Sequence, residues 1–377
     1  MIAAVVAVLV SQWVRLVLEV LPEPFTAYGH LDIESILVGT RVLEVHWPYW
    51  AFPFEYHPVI GWATALLSYV SPHAVFLILA WGVIVAIAAG AVASLLTRAV
   101  GARRTLAFWS LSPQLLLFGG ANFDAIAVLS ILAGAAYFAR GRHARAGAAL
   151  AAGTATKLFP AVVAPPLAIA LWRSGARRSA LAFAVMALAM LAILDGPAIV
   201  APHSLLSSGV TPYGVGSWNL DSIWLPFAIG LGAFLDQATI NRIVTAVSLV
   251  GLAASYVWLV LRPALRGADP VWAGWIGVCA VLIWTRLYSP QYAIWVLPVF
   301  ALYVPRPGLL AFMFVGDALV FGTIFGLHGL GLRVDDPAAL PLLGLMVVGV
   351  VVRHIALVLL LIRAHQHGVP QPTALGS

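Results

Sequence analysis

Across 377 residues the chain is 62% hydrophobic and only 9% charged, with a mean hydropathy of +1.00. A soluble globule normally carries about a quarter charged residues, so this composition excludes a soluble domain and implies an all-α, polytopic integral membrane protein of one domain, residues 1–377. The formal net charge of +6 reflects Lys and Arg gathered in cytoplasmic loops and implies no nucleic-acid partner, while the single cysteine, Cys279, excludes a disulfide framework.

The first apolar run, near 2–21, lacks a basic leading region and a small-residue cleavage site, and reads as an uncleaved span. Within it Arg15 and Glu19 stand four apart, at the spacing for mutual neutralisation on a helix. The one long polar stretch follows, Phe25 to Pro58. It opens with Asp32 just beyond the span. Between Ile33 and His46 the charges Glu34, Arg41 and Glu44 lie on one face and Ile33, Ile36, Leu37, Thr40 and Leu43 on another, which predicts an amphipathic interfacial helix. Trp47, Tyr49, Trp50, Phe52, Phe54 and Tyr56 come next, read as headgroup anchors with one or two recruited to a site.

Basic clusters then assign sides: Arg98, Arg103 and Arg104; Arg140, Arg142 and Arg145; Arg173, Arg177 and Arg178; Arg262 with Arg266; Arg306; and Arg363. All belong on the cytoplasmic face. The acidic and aromatic loops between them, Asp32 to Glu55, Asn122 to Asp124, Asp195 to Asp221, Tyr288 to Gln291, and Asp335 with Asp336, belong outside. This alternation makes Pro58 to Ser71 a second interfacial helix of the outer loop 22–72 and demotes Ser222 to Phe234. About twelve spans remain: near 2–21, 73–97, 105–120, 123–139, 146–157, 160–172, 179–197, 242–262, 271–286, 290–304, 308–328 and 338–362. The pair 146–157 and 160–172 is too short for two full crossings and predicts half-depth helices meeting at Lys157-Leu158-Phe159-Pro160.

Several residues carry chemistry. Asp32 reads as a general base or as the N-cap of the helix after it. Glu34 completes an acidic-X-acidic pair that suits a divalent metal or simply a wet helix face, and no metal or other cofactor is expected. Glu55 is a second carboxylate among aromatics. Lys157 and Arg286 lie at outer ends of spans, against the positive-inside trend, where each suits a lipid phosphate, a snorkelling side chain or an ion pair. His57, His203 and His328 lie near outer ends, with His57 beside the aromatic segment. Asn122 and Asp124 read as site lining, Asp124 equally as a helix cap. Trp218-Asn219-Leu220-Asp221 can face an acceptor, and Gln291 and Tyr292, set by Ser289-Pro290, can bond a sugar or phosphate oxygen. Neither a phosphate-cradling Gly-X-X-X-X-Gly-Lys loop nor His-Glu-X-X-His is present.

The Asp after the first span, Phe54-Glu55-Tyr56-His57-Pro58, Lys157-Leu158-Phe159-Pro160, and Tyr288-Ser289-Pro290-Gln291-Tyr292 followed by Trp295 and Pro298 occur in an order that resembles a known architecture. It is that of the polyprenyl-phosphate-sugar-dependent glycosyltransferases of the GT-C fold, especially glycosyltransferase family 87, which contains actinobacterial mannosyltransferases of phosphatidylinositol mannoside synthesis. Where relatives often carry two prolines after the tyrosine, this chain has His57-Pro58.

The resemblance implies an inverting transfer from a polyprenyl-phosphate sugar without naming the sugar; taken with the residues, the expectation is a hexose, mannose first, passed to a lipid-linked glycan acceptor at the outer leaflet of the cell membrane. The resemblance makes Asp32 the catalytic base, while residue type and placement make Lys157, Arg286 and Gln291 the expected donor-phosphate ligands and His57, Glu55, Tyr56, Asn122, Asp124 and Tyr292 the expected sugar or acceptor lining. Two other readings remain open. A transporter or flippase of lipid-linked sugars also needs many spans and intramembrane cations, and a polysaccharide ligase would take a lipid pyrophosphate donor.

Overall fold

The computed structural model describes residues 1–23, 25–31, 36–37, 41–54, 56–71, 73–204 and 219–366. Asp32, Glu34, Glu55 and Trp218 lie outside the described residues, as does most of the first amphipathic segment. Of that segment, Val42–Val45 forms a single helical turn.

Helices dominate. Those of nine or more residues are α1 Ile2–Glu19, α2 Pro58–Val70, α3 Ala74–Val100, α4 Asp124–Ala139, α5 His143–Thr154, α6 Ala164–Arg173, α7 Arg177–Leu194, α8 Trp224–Gly232, α9 Gln237–Tyr256, α10 Pro270–Trp284, α11 Pro307–Gly329 and α12 Leu340–Gln366. Proline opens many of them, among them α2, α10 and α11. At the first helical position its missing N–H needs no partner and its fixed φ is already helical.

Six stretches are long and apolar enough to cross a bilayer: Ile2–Glu19, Ala74–Val100, Arg177–Leu194, Gln237–Leu265, Pro307–Gly329 and Pro337–Gln366. The chain is thus a multi-pass helical membrane protein. The other predicted spans are helical but shorter or interrupted. The 105–120 segment divides into Leu106–Ser110 and Pro113–Phe118, and 290–304 into Pro290–Val296 and Leu297–Leu302, because Pro113 and Pro298 interrupt backbone hydrogen bonding at the two breaks.

Hydrogen bonds between distant segments sort the turns onto two ends. At one end, the Arg104 guanidinium donates to the Leu302 carbonyl (3.3 Å), Arg173 to Ala264 (3.3 Å) and the Trp272 indole to Ala364 (3.1 Å). At the other, the Val59 amide donates to Ala155 (3.0 Å), His203 to Tyr49 (2.9 Å) and Asn219 to Arg286 (2.9 Å), while the Trp62 indole donates to Leu194 (2.9 Å). Each of the first three bonds thus joins two segments expected on the arginine-rich side, and each of the others joins two expected on the acidic and aromatic side, where Arg286 also lies.

Packing within the bundle is close. On α11 and α12, a Cβ added at Gly316 would lie 2.6 Å from the Arg353 backbone nitrogen, and one at Gly349 would lie 2.8 Å from the Leu319 Cβ. Only glycine allows the two backbones to approach this closely. Helix α2 lies across the polar end. Its Thr64 hydroxyl accepts from the Trp81 indole of α3 (3.1 Å), and Ser68 bonds the His46 ring (2.7 Å). The aromatic row divides by depth: Trp47 and Trp50 are exposed, whereas Tyr49, Phe52 and Phe54 are buried in the main core. Of the row's described residues, Trp47 and Trp50 have the exposure that a headgroup anchor needs. Tyr49 has a φ of +67°, uncommon for a side chain of its size, and its hydroxyl donates to the Tyr56 carbonyl.

Candidate functional site

Three sequence segments singled out above meet at the polar end. Asp124 stands at the first turn of α4, almost wholly buried, and is not the cap anticipated for it: Phe123 occupies the N-cap position without a side-chain bond. Its carboxylate turns instead to Lys157 in the break between α5 and the 3₁₀ turn Phe159–Val163, with Nζ 2.6 Å from Oδ1. The same oxygen accepts from the Trp295 indole N–H at 2.7 Å. A carboxylate this deep is stable as an anion only when paired and hydrogen-bonded, and both conditions are met.

Aromatic faces enclose the cation. Lys157 Nζ lies 4.4 Å from the centre of the Tyr292 ring and 5.6 Å from that of Trp295. Trp295 stacks between Tyr292, with centroids 4.2 Å apart, and Phe159, at 3.9 Å. The Lys157 side chain keeps 13% of its surface exposed, enough for a ligand to reach it.

From the first outer loop, Tyr56 packs edge-on against Phe123 at 6.0 Å, which brings Phe54-X-Tyr56-His57 to the same cluster. Burial, together with the nearby Lys157 charge, pushes the His57 imidazole down to about 4. His57 is therefore neutral at physiological pH, with one nitrogen able to donate and the other to accept. Asn122, also buried, bonds the Phe123 amide through its own side-chain oxygen. At the adjoining loop, burial raises the Asp195 carboxyl to about 6.

Arg286 and Gln291 have other immediate partners. The Arg286 guanidinium donates to the Thr245 hydroxyl of α9 at 2.9 Å, and the Ser289 hydroxyl donates to the Gln291 side-chain oxygen at 2.6 Å. Burial lowers the proton affinity of Arg286. Arg15 reaches the carbonyl oxygens of His30 (2.8 Å) and Leu117 (3.0 Å). Asp32 and Glu55 lie outside the described residues.

Behind this cluster lies a second polar group that the sequence reading passed over. Arg353 on α12 and Asp317 on α11 are fully buried, with Nη1 3.8 Å from Oδ1. Arg353 donates to the Tyr288 carbonyl at 2.6 Å and lies 4.0 Å from the centre of that residue's ring. The Tyr288 amide in turn donates to the buried Asp221 carboxylate at 3.3 Å. Both backbone polar groups of Tyr288 are thus held by charged side chains from distant elements, which fixes the approach to the turn that supplies Tyr292 and Trp295. A signal for this pair exists in the sequence: Asp317 and Arg353 are equidistant from Asp335 in the turn joining α11 and α12.

Chemically, the first cluster offers a partly accessible ammonium, a neutral imidazole and a stack of aromatic faces. That combination suits an anion carried on an apolar or sugar-bearing group. No protein-family model matches the chain, and no curated protein matches it either.

Proposed function

We propose that this chain is a GT-C-type membrane glycosyltransferase that moves a hexose, mannose first, from a polyprenyl-phosphate donor to a lipid-linked glycan acceptor at the outer leaflet, with inversion. The observation that carries the reading is the meeting of Tyr56-His57, Asp124, Lys157 and Tyr292-X-X-Trp295 around one ammonium group. These segments are far apart in the chain and include three of the motifs on which the family resemblance rests. A transfer from a lipid phosphate needs a cation where the phosphate leaves, since uncompensated charge near hydrocarbon is costly.

In the proposed reaction the Asp32 carboxylate takes the proton of an acceptor hydroxyl. The freed oxygen attacks the anomeric carbon from the face opposite the phosphate. The carbon–oxygen bond to the phosphate breaks, and its electron pair leaves with the polyprenyl phosphate. Lys157 stabilises the departing anion, and Asp124 with the Trp295 indole keeps the ammonium oriented before the donor arrives. Neutral His57 supplies a hydrogen bond to the phosphate or sugar without adding charge.

Purified protein given labelled polyprenyl-phosphate mannose and a lipid-linked glycan tests the reading. The expected result is a new glycosidic product that disappears with Asp32→Asn. Movement of labelled lipid across a proteoliposome without product refutes it in favour of a transporter, and transfer only from a lipid pyrophosphate refutes it in favour of a ligase.

A further inference from the structure

We propose that the arginine-rich end of the bundle carries a binding site for the headgroup of an anionic phospholipid, independent of the transferase reading. A cavity of about 480 Å³ opens there, lined among others by Trp258, Arg262, Arg266, Gly267 and His365. Its walls come from two parts of the chain. The continuation of α9 supplies the first four of these residues and α12 supplies His365. Arg173, the last residue of α6, stands beside this lining: its Nη1 donates to the Ala264 carbonyl at 3.3 Å and lies 2.9 Å from where a Cβ on Gly267 would sit.

Two arginines therefore line one concavity and a third adjoins it. Among the described residues, none of these three guanidiniums is ion-paired, and the adjacent acid, Asp269, accepts from the Trp272 amide at 2.7 Å as the N-cap of α10. Positive-inside topology requires arginines at this end but does not require them to line a cavity. The Arg262 guanidinium lies 4.0 Å from the centre of the Trp258 ring. Stacking through its face leaves its N–H edge free for the paired hydrogen bonds that phosphate oxygens accept.

The surroundings identify the phosphate as one borne by a lipid. Trp258 is 63% exposed on the outer surface of the bundle, and an exposed tryptophan beside arginines marks the headgroup level of a membrane. Above it on the same helix, Leu249, Val250 and Val257 are exposed as well, a path for the acyl chains. Free phosphate would use the arginines but gain nothing from this apolar path.

The test uses the full chain in nanodiscs of mixed phosphatidylcholine and phosphatidylglycerol, with retained lipid read by native mass spectrometry. Wild type is expected to retain phosphatidylglycerol preferentially, and Arg262→Gln/Arg266→Gln to weaken that retention about thirtyfold. Arg98→Gln/Arg103→Gln, both exposed at a separate basic turn, serves as the control and is expected to leave it unchanged. Equal loss in both double variants, or no preference in wild type, overturns the site in favour of overall charge. Displacement of the retained lipid by millimolar inorganic phosphate overturns the lipid assignment. On wild type alone, a photoactivatable phosphatidylglycerol is expected to label the 257–268 segment, and even labelling over the apolar surface refutes the proposal.

Discussion

The Asp124–Lys157 pair gives the sharpest test of the site's electrostatics. Replacing Asp124 with Asn keeps the side-chain shape and an acceptor for the Trp295 indole but removes the charge facing an ammonium 2.6 Å away. At that distance and an effective dielectric near 20, the gross attraction is about 6 kcal/mol. Much of it offsets the loss of water around both ions, and breaking one side of such a pair costs about 3–5 kcal/mol because the remaining charge stays buried. Lys157→Met leaves Asp124 as the uncompensated ion and is expected to cost a similar amount. The double variant Asp124→Asn/Lys157→Met leaves neither charge stranded and is expected to cost only about 1 kcal/mol, giving a coupling of about 5 kcal/mol or more. Reversible unfolding in mixed micelles measures all four corners of this cycle. Single costs below about 1 kcal/mol that add within about 0.5 kcal/mol would mean that the pair is a solvated surface contact, and the account of the site would fail.

Four further outcomes are expected. Asp32→Asn lowers transfer by about two to four orders of magnitude with donor binding retained, the signature of a lost base; unchanged turnover removes Asp32 from that role. Arg353→Met or Asp317→Leu alone costs about 3–5 kcal/mol in the unfolding assay, whereas the combined variant recovers most of it; equal losses in all three contradict the pairing. For His57, the folded-state value of about 4 lies below the ordinary 6.5, so the unfolded chain takes up the proton first. The neutral ring's share of stability is complete above about pH 6.5 and falls by up to about 3 kcal/mol as the pH drops to 4. Melting midpoints of His57→Gln should lack that limb. Asp195 acts with the opposite sign, its raised value of about 6 removing stability as the pH climbs from 3.8 to 6. Asp195→Asn should flatten that slope in the same melts.

Much of the helical layout is legible in the sequence because prolines and arginines punctuate it. Pro58, Pro270 and Pro307 open helices where a missing amide costs nothing, and hydrogen bonds link arginine-bearing turns that charge asymmetry places on one side. Lys157 stands out for a similar reason, as a cation against that trend. Its partner Asp124 reads equally as site lining and as a cap, and only the neighbouring helix hairpin brings the ammonium to it. The full depth of α11 and α12 also escapes composition. Asp317 and Arg353 sit singly inside apolar runs, and their pairing depends on the register of a hairpin with a long turn. The aromatic row illustrates a further limit. Trp47 and Phe54 are both large aromatics of one short row, yet one is exposed and the other buried, because the backbone turns between them rather than following a helical period.

The brevity of α5 sets where the ammonium sits. Twelve residues rise about 18 Å, well short of a hydrocarbon core of about 30 Å. The loop beyond α5 consequently ends in a recess covered by α2, through the bond from the Val59 amide to Ala155. One added helical turn would displace the tip by about 5.4 Å, more than twice the reach of the contact between Nζ and Oδ1. The count of residues in an otherwise ordinary alanine-rich helix thus acts as a depth gauge for the charge it carries.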